Sequence, residues 1–452
     1  MAAPIPITFV SPEELNSEPE HHQSWFSSTG FKADAGSYSL IPNVDGTLAH
    51  IYVGKPDGFN TWTLGKLATE LPFNHYHLAA TLTADEATQL YLGWKLAQYR
   101  FTPYKQDKKS NIRDNQPILE PPSQADLDYV EAAVEAAYLV RNLVNTPAGD
   151  MGPAQLEKEA RAIATTYQAD IQVTTGDALL TENYPMIHAV GRASDQPPRL
   201  IDMTWGDSTH PKVTLVGKGV CFDSGGLNAK NASGMKLMKK DMGGAAHVLG
   251  IATMIMKMNL PVRLRVLVPA VENSIAGNAM HPLDILNTRK GITVEVGNTD
   301  AEGRLVLGDA LWEASQDEPD LLVDFATLTG AARVALGTEL PAMFCSDEAT
   351  ADQLKQSGLQ VNDPLWPMPL HQPYRSMLDS KVADISNISN GSYGGAITAA
   401  LFLKEFVASD IPWVHIDVMA WNLRSLPGRP EGGEAMGVRA VTDLIRQMAA
   451  QA

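Results

Sequence analysis

Hydrophobic and polar positions follow a helical period in the stretch before residue 146. Ser123 and Asp126 match the Ser-x-x-Asp pattern of a helix start, and Asn145-Thr-Pro147 ends the pattern. Four apolar residues in between are spaced by three, four and three positions, which places them on one helical face: Leu127, Val130, Val134 and Ala137. A long helix over residues 121–145 is therefore predicted to connect two parts of the chain.

Before this helix, short strand and helix signals mix between about residues 36 and 115. Two β-rich segments, 38–41 and 49–53, flank a turn signal at Asp45-Gly46, which is typical of paired antiparallel strands. We therefore predict a small N-terminal α/β domain over residues 1–120.

After the helix, β-rich segments alternate with helical ones. One helix is predicted directly after Asp241-Met-Gly-Gly244, because apolar residues from Ala245 to Met256 follow helical spacing. Six segments read as strands: 200–204, 213–216, 262–268, 292–296, 321–325 and 413–418. This alternation predicts an α/β fold in which a larger C-terminal domain, residues 146–452, has a mostly parallel central sheet covered by helices.

The composition is that of an acidic globular protein. Hydrophobic residues make up 44%, and 52 Asp and Glu against 35 Lys and Arg give a net charge of -17, which would repel a polyanion such as nucleic acid. No apolar run approaches the length of about 18 residues that spans a bilayer. The N-terminus lacks the basic and apolar regions of a secretory signal, and Cys221 and Cys345 are too few for a disulfide framework. We therefore expect a cytoplasmic protein without membrane or nucleic-acid partners.

Polar and glycine residues cluster in three places where predicted strands end, which is where α/β sheets bind ligands. The first cluster is the glycine-rich run from Val216 to Gly226, followed by Lys230 and Asp241. The second is Asn-Thr-Asp-Ala-Glu-Gly-Arg-Leu at 298–305. The third is Thr327-Leu-Thr-Gly330, whose small residues let backbone groups approach a substrate.

Four acidic side chains stand in the first two clusters: Asp223, Asp241, Asp300 and Glu302. In one crevice they would repel each other unless protonated or neutralised by cations. Asp300 and Glu302 are two positions apart, so an extended backbone leaving a strand would point both carboxylates the same way. Each acid taken alone could cap a helix or lie on a solvated loop. Together with the lysines and glycines, they indicate a site for divalent metal ions.

Several other chemistries lack their motifs. No Gly-x-x-x-x-Gly-Lys-Ser/Thr pattern surrounds Lys218, no Gly-x-Ser-x-Gly elbow surrounds Ser224, and no His-Glu-x-x-His occurs in the sequence. The residues themselves leave open both a peptidase and another two-metal hydrolase, such as a phosphatase or a nuclease.

These motifs resemble those of the leucyl aminopeptidase (cytosol aminopeptidase) family. The most specific run is the one at 298–305, and the Gly-Lys-Gly and Phe-Asp-Ser-Gly-Gly segments, Lys230 and the run from Asp241 to Ala246 are also similar to family motifs. The resemblance extends from about residue 145 to the C-terminus, whereas the first 115 or so residues show only a weak likeness. It favours peptides over phosphate esters as substrates.

The resemblance implies roles for seven residues. Lys230 and Arg304 would be catalytic, with Lys230 stabilising charge on the reacting carbonyl and Arg304 holding a bicarbonate ion as general base. Lys218 can bind a metal only as the neutral amine. Five residues would hold two divalent ions, zinc or manganese in preference to magnesium or cobalt: Lys218, Asp223, Asp241, Asp300 and Glu302.

The resemblance also implies the substrate and the assembly. A water activated by the two metal ions would release the N-terminal amino acid, with a leucine-like preference, from peptides with a free N-terminus. The enzyme would be a homohexamer. Five residues would bind the substrate: Met238, Thr327, Leu328, Gly330 and Met436. The alternative is a catalytically silent oligomeric scaffold, or a nucleic-acid-binding regulator, of the same fold.

Overall fold

The computed structural model describes residues 3–106 and 116–451. The chain forms two compact units, one made of Met1–Val134 with Arg424–Pro430 and the other of Glu135–Leu423 with Glu431–Ala452. None of the helices within the described ranges is long and apolar enough to cross a membrane.

The first unit contains a five-stranded sheet in the order β2-β3-β1-β4-β5. Strand β2 pairs with β3 in antiparallel fashion, as the turn signal at Asp45-Gly46 predicts, and the other pairs are parallel. Its strands are β1 Ile5–Val10, β2 Tyr38–Pro42, β3 Leu48–Gly54, β4 His75–Leu78 and β5 Ile118–Leu119. Its helices are α1 Glu20–Thr29, α2 Leu67–Glu70 and α3 Ala84–Ala97.

The predicted connecting helix is α4, Leu127–Asn145, and the division between the two units falls within it. It begins later than the Ser-x-x-Asp pattern predicts. The Asp126 carboxylate accepts the backbone N–H of Tyr129 at 3.0 Å and so caps the helix, whereas the Ser123 hydroxyl bonds to the side chain of Gln124. The end at Asn145 agrees with the sequence pattern.

The second unit is built on a nine-stranded sheet, with two small sheets beside it. Its helices are α5 Pro153–Tyr167, α6 Ala178–Thr181, α7 Pro185–Gly191, α8 Ala232–Met235, α9 Gly243–Lys257, α10 Gly303–Ser315, α11 Gly330–Leu336, α12 Glu348–Gln360, α13 Gly395–Lys404 and α14 Val438–Gln451. Its strands are β6 Asp170–Thr175, β7 Arg199–Trp205, β8 Lys212–Gly217, β9 Gly219–Asp223, β10 Arg263–Asn273, β11 Ile285–Asn287, β12 Thr293–Glu295, β13 Leu321–Ala326, β14 Ala342–Cys345, β15 Trp366–Pro367, β16 Ile385–Ser386, β17 Trp413–Asp417, β18 Trp421–Asn422 and β19 Gly432–Gly433.

The centre of the large sheet is parallel, and antiparallel pairs lie towards its edges. Strands run in the order β15-β14-β17-β13-β8-β10-β7-β6, and β9 also pairs with β10. Strands β17, β13, β8 and β10 are mutually parallel, whereas β7 and β14 run against their inner neighbours. The predicted mostly parallel sheet is confirmed. The segment at 292–296 was wrongly counted with this sheet, because β12 pairs with β11 and β16 in a separate three-stranded sheet.

Helices cover both faces of the large sheet. Val216 of β8 packs in the hydrophobic cluster that contains Leu307 of α10. A Cβ on the next residue, Gly217, would lie 2.4 Å from Val248 of α9. Because successive strand residues point to opposite faces, α9 and α10 lie on opposite sides of the sheet. Residues 243–256 of α9 are buried throughout, which agrees with a helix that is apolar on all sides.

Candidate active site

The first loop of the candidate site leaves the sheet at Asp223, the last residue of β9. The Asp223 carboxylate accepts hydrogen bonds from the backbone N–H of Gly225 at 2.8 Å and from the amide of Asn273 at 2.9 Å. Gly225 has a φ of +89°, and a Cβ there would lie 2.6 Å from the Asn228 carbonyl. A glycine is therefore required for the turn that fixes Asp223.

The second loop brings Asp300 and Glu302 to the same place, but not by the predicted geometry. Asp300 lies in a turn, and Glu302 is helical, with φ -76° and ψ -32°, directly before α10. The extended backbone expected for this pair is therefore wrong. The Thr299 hydroxyl joins the two loops by donating to the Gly225 carbonyl at 2.6 Å. As a result, carboxylate oxygens of Asp223, Asp300 and Glu302 lie within 4.8 Å of one another.

Two lysines stand between the carboxylates. Lys218 Nζ lies 2.6 Å from Asp241 Oδ2 and 3.0 Å from Glu302 Oε1. Lys230 Nζ lies 2.8 Å from Asp223 Oδ2 and 2.6 Å from Asp300 Oδ1. All five predicted metal-binding residues and Lys230 therefore form one cluster, although they come from separate segments of the chain.

The carboxylates of this cluster are left with unused acceptor capacity. Lys218, Asp223, Asp241 and Glu302 are each at most 3% exposed, so water does not compensate them. Among the described residues, four oxygens are buried without a hydrogen bond of acceptable geometry: Asp241 Oδ2, Asp300 Oδ1 and both oxygens of Glu302. Buried polar atoms are normally satisfied, so this donor set fits divalent cations, which prefer carboxylate oxygens.

The pKa values in the cluster also show that its negative charges are not fully compensated. Burial and the nearby Asp223 carboxylate raise the pKa of Glu302 to about 8. Burial and Asp241 also raise the pKa of Asp223. Burial disfavours the charge of Lys218, but the carboxylates of Asp241, Glu302 and Asp223 outweigh it and raise the pKa of the Lys218 amine. A neutral Lys218 would therefore require bound cations to remove this attraction.

Arg304 lies in the first turn of α10, next to the carboxylate cluster. Its Nη1 donates to the carbonyl oxygen of Asn387 at 2.7 Å. Its Nε is buried and, within the described part of the chain, has no acceptor. Burial lowers the pKa of Arg304 to about 10, against the opposing effect of Glu302 and Asp417, so the guanidinium remains charged near neutral pH. A buried, partly unpartnered guanidinium is suited to hold a small anion.

An open cleft of about 580 Å³ gives access to these groups. Four of the five predicted substrate-binding residues line it: Met238, Thr327, Leu328 and Gly330. Met436 is not among the lining residues; it is 5% exposed, and its backbone N–H donates to His247 Nε2 at 3.0 Å. Thr327 also donates its hydroxyl proton to Asp241 Oδ1 at 2.7 Å, which joins the pocket to the carboxylate cluster.

Sequence reasoning missed several residues that shape the site. The Asp417 carboxylate accepts the backbone N–H groups of Leu328 and Thr329 at 3.0 Å and so fixes the third loop. Lys240 and Arg333 also line the cleft. Lys240 directly precedes Asp241 and could have been noticed, whereas no local signal marks Asp417 or Arg333, which reach the site through the fold.

Comparisons with known proteins agree with this geometry. Residues 138–442 match the catalytic domain of the cytosol aminopeptidase family, and residues 5–117 match the M17 aminopeptidase N-terminal domain. A probable cytosol aminopeptidase of Rhodococcus jostii (strain RHA1) is 39% identical over 388 residues, covering 82% of this chain and 77% of the relative. One of Leifsonia xyli subsp. xyli (strain CTCB07) is 38% identical over 440 residues, covering 91% and 87%.

Solved structures extend the similarity to both units. The crystal structure of a cytosol aminopeptidase from Coxiella burnetii has a TM-score of 0.94 and 45% identity, covering 99% of this chain and 98% of that one. The bottromycin maturation enzyme BotP, solved in complex with Mn, has a TM-score of 0.88 and 33% identity, covering 99% and 100%.

The α/β fold and the matched catalytic domain define a hydrolase of the peptidase class. The chain belongs to the cytosol aminopeptidase family, M17, as the sequence motifs indicated. Its substrates are accordingly peptides.

Proposed function

We propose that this protein is a metal-dependent aminopeptidase in which two divalent ions are held by Lys218, Asp223, Asp241, Asp300 and Glu302. The observation that carries the proposal is a set of four buried carboxylate oxygens that, among the described residues, have no hydrogen bond of acceptable geometry, although a lysine Nζ lies within 3.0 Å of three of them. Bound divalent ions supply the positive charge that acidifies water and polarises a carbonyl group.

The donor set is compatible with several divalent metals. Carboxylate oxygens and one amine nitrogen accept zinc, manganese, magnesium or cobalt according to availability. The structural relative BotP was solved in complex with Mn, which supports manganese beside zinc as the leading choices. Gly303 supports the role of Lys218, because a Cβ at Gly303 would lie 2.7 Å from Lys218 Nζ and would push the amine out of place.

Lys230 and Arg304 act on the reacting groups in this proposal. Burial disfavours the charge of Lys230, but Asp223 and Asp300 raise the pKa of its ammonium above the ordinary value, so it stays protonated and can stabilise negative charge on the carbonyl oxygen. The buried, unpartnered Nε of Arg304 supports the binding of bicarbonate, which would serve as the general base.

The substrate is a peptide with a free N-terminus, and the N-terminal residue is leucine-like. Met238, Thr327, Leu328 and Gly330 line the cleft beside the carboxylates and would contact this residue. We further propose a homohexamer in the cytoplasm. The silent scaffold is not favoured, because every proposed metal-binding and catalytic position holds a residue of the expected type. The nucleic-acid regulator is not favoured, because the net charge is -17.

The metal proposal is tested by chelation and reconstitution. After removal of metal by a chelator, the parent should lose activity and regain it on addition of Mn²⁺, with two ions bound per chain by elemental analysis. Asp300→Ala and Glu302→Ala should bind less metal and have no measurable activity, because both carboxylates neutralise the same cations. Asp352→Ala, which removes an exposed carboxylate on α12, is the control. Full metal content in both site variants would contradict the proposal.

A further inference from the structure

Lys240 is a buried cation for which the proposed mechanism has no use. It lies in the short 3-10 helix Met238–Met242 and is 2% exposed. Across the described ranges, no hydrogen bond or ion pair of its ammonium group is found, although the group lines the cleft. An ammonium group that has no carboxylate partner and belongs to a residue lining a binding cleft points to an anionic ligand.

Arg333 is a second such cation on the same cleft. It lies in α11, one turn after Gly330, and its Nη2 is 3.8 Å from the position that a Cβ on Gly330 would take. Its Nη1 is buried and has no hydrogen-bond partner in the described part of the chain. The guanidinium therefore lies beside Gly330, a residue of the cleft, and its Nη1 is left to donate to a ligand.

The two carboxylates that act on Lys240 are already engaged with other groups. Asp241 and Asp417 are the carboxylates that act on Lys240. Asp241 contacts Lys218 and accepts from Thr327, and Asp417 accepts from the backbone of the Leu328 segment. Neither carboxylate makes an ion pair with Lys240 or Arg333 within the described residues, although both favour the charge of Lys240, which the nearby Arg333 disfavours.

We infer that Lys240 and Arg333 form a subsite for a carboxylate group of the peptide substrate. A carboxylate that contacts both the ammonium and the guanidinium would satisfy both cations. This inference rests on the proposed aminopeptidase function and adds a substrate class to it. The carboxylate comes either from the side chain of an acidic N-terminal residue or from the C-terminus of a dipeptide.

Two matched substrate pairs distinguish these sources. Hydrolysis of Glu-Leu-amide is compared with Gln-Leu-amide, and hydrolysis of Leu-Leu with Leu-Leu-amide, with Mn²⁺ and bicarbonate held constant. In the parent, kcat/KM for the acid should exceed that for its neutral twin about tenfold or more in at least one pair. The pair that shows the difference identifies the source of the carboxylate.

The variants Lys240→Met and Arg333→Met should bring the acid-to-neutral ratio of that pair towards one. Lys158→Met, which removes an exposed charge on α5, is the matched control and should keep the parent ratio. If Lys240→Met does not fold, the acid-to-neutral ratio of Arg333→Met alone tests the subsite, because Arg333 is only half-buried. Equal ratios in the parent and in both variants, with Leu-Leu-amide still hydrolysed, would overturn the subsite. Failure of the parent to hydrolyse Leu-Leu-amide would instead overturn the proposed function.

Discussion

At the scale of single residues, the main feature of the site is that its buried carboxylates are only partly paired with the lysines beside them. Asp223, Asp241 and Glu302 are buried carboxylates. Lys218 and Lys230 lie within 3.0 Å of them, but some of the carboxylate oxygens still lack a hydrogen bond of acceptable geometry. A group that served only to stabilise the fold would be paired more completely, because an unsatisfied buried acceptor costs about 1–3 kcal/mol. This unused acceptor capacity supports the proposal that the site binds positively charged ligands.

Lys230 and Arg304 should separate from the metal-binding residues when activity and metal content are measured together. Lys230→Ala and Arg304→Ala should lower kcat about 100-fold or more, because each loses a charged donor for the reacting carbonyl or for the anion. Metal content should remain close to that of the parent. Steady-state kinetics and elemental analysis on the same preparations check this, and a parallel loss of metal in both variants would show that they are ligands instead.

Bicarbonate gives Arg304 a test of its own. The parent depleted of carbonate should be stimulated when bicarbonate is added, and Arg304→Ala should be stimulated less, because the buried Nε donor is absent. If both enzymes respond alike, Arg304 does not hold the anion. Its hydrogen bond to the Asn387 carbonyl would then be its role, as a residue that joins α10 to a neighbouring loop.

At the scale of residues, the sequence predicted which side chains lie together better than it predicted their surroundings. The run at 298–305 and the residues Lys218, Asp223 and Asp241 could be selected because their types and spacings are specific. The lack of partners for Lys240 and Arg333 could not be predicted, since it depends on which groups the fold brings near them. The predicted extended backbone at Asp300 and Glu302 was wrong because the loop makes a turn before α10 begins.

Among the secondary-structure elements, α9 holds the segment that contains Met436. His247 on this helix donates Nδ1–H to the Gly243 carbonyl at 2.6 Å and accepts the Met436 backbone N–H at Nε2. Both bonds together require the neutral imidazole. Burial lowers the pKa of His247 to about 4, so the helix and the Met436 segment stay joined at neutral pH.

This histidine predicts a pH dependence of stability. Its folded pKa of about 4 lies below the ordinary value of 6.5, so its contribution is present above pH 6.5 and is lost as the pH falls towards 4. The loss is roughly 3 kcal/mol at most. The melting temperature of the parent should therefore fall more steeply between pH 6.5 and 4.5 than that of His247→Gln. His281→Gln, at an exposed histidine, should match the parent. Equal slopes for parent and His247→Gln would contradict this account.

Element prediction succeeded where periodicity is strong and failed where pairing depends on distant segments. The spacing of Val130 and Val134 was sufficient to predict α4, and the run from Ala245 was sufficient to predict α9. Hydrophobic content alone placed β12 in the large sheet, because a short apolar segment carries no information about its partner strand. For the same reason the antiparallel direction of β7, which was predicted as a strand at 200–204, could not be predicted, and β14 was not predicted at all.

At the scale of the whole molecule, two units and one family are established, and the assembly remains a proposal. Alternating strands and helices predicted the C-terminal α/β domain. No pattern predicted that Arg424–Pro430 belongs to the first unit, because a return of the chain late in the sequence has no local signal. The predicted boundaries at residues 120 and 146 remain predictions.

The proposed homohexamer is tested by mass in solution. Light scattering at micromolar concentration should give about six times the chain mass of 48.8 kDa. A stable mass of 48.8 kDa under the same conditions would remove the hexamer from the account while leaving the site chemistry untouched.

The central claim is that the site removes an N-terminal residue with the help of divalent metal ions. Its most direct test is the hydrolysis of leucyl anilide beside N-acetyl-leucyl anilide, each with added Mn²⁺ and with chelator. The free-amine substrate should be hydrolysed with Mn²⁺ and not after chelation, and the acetylated twin should not be hydrolysed under either condition. Equal hydrolysis of both anilides, or full activity on the free amine after metal removal, would contradict the account.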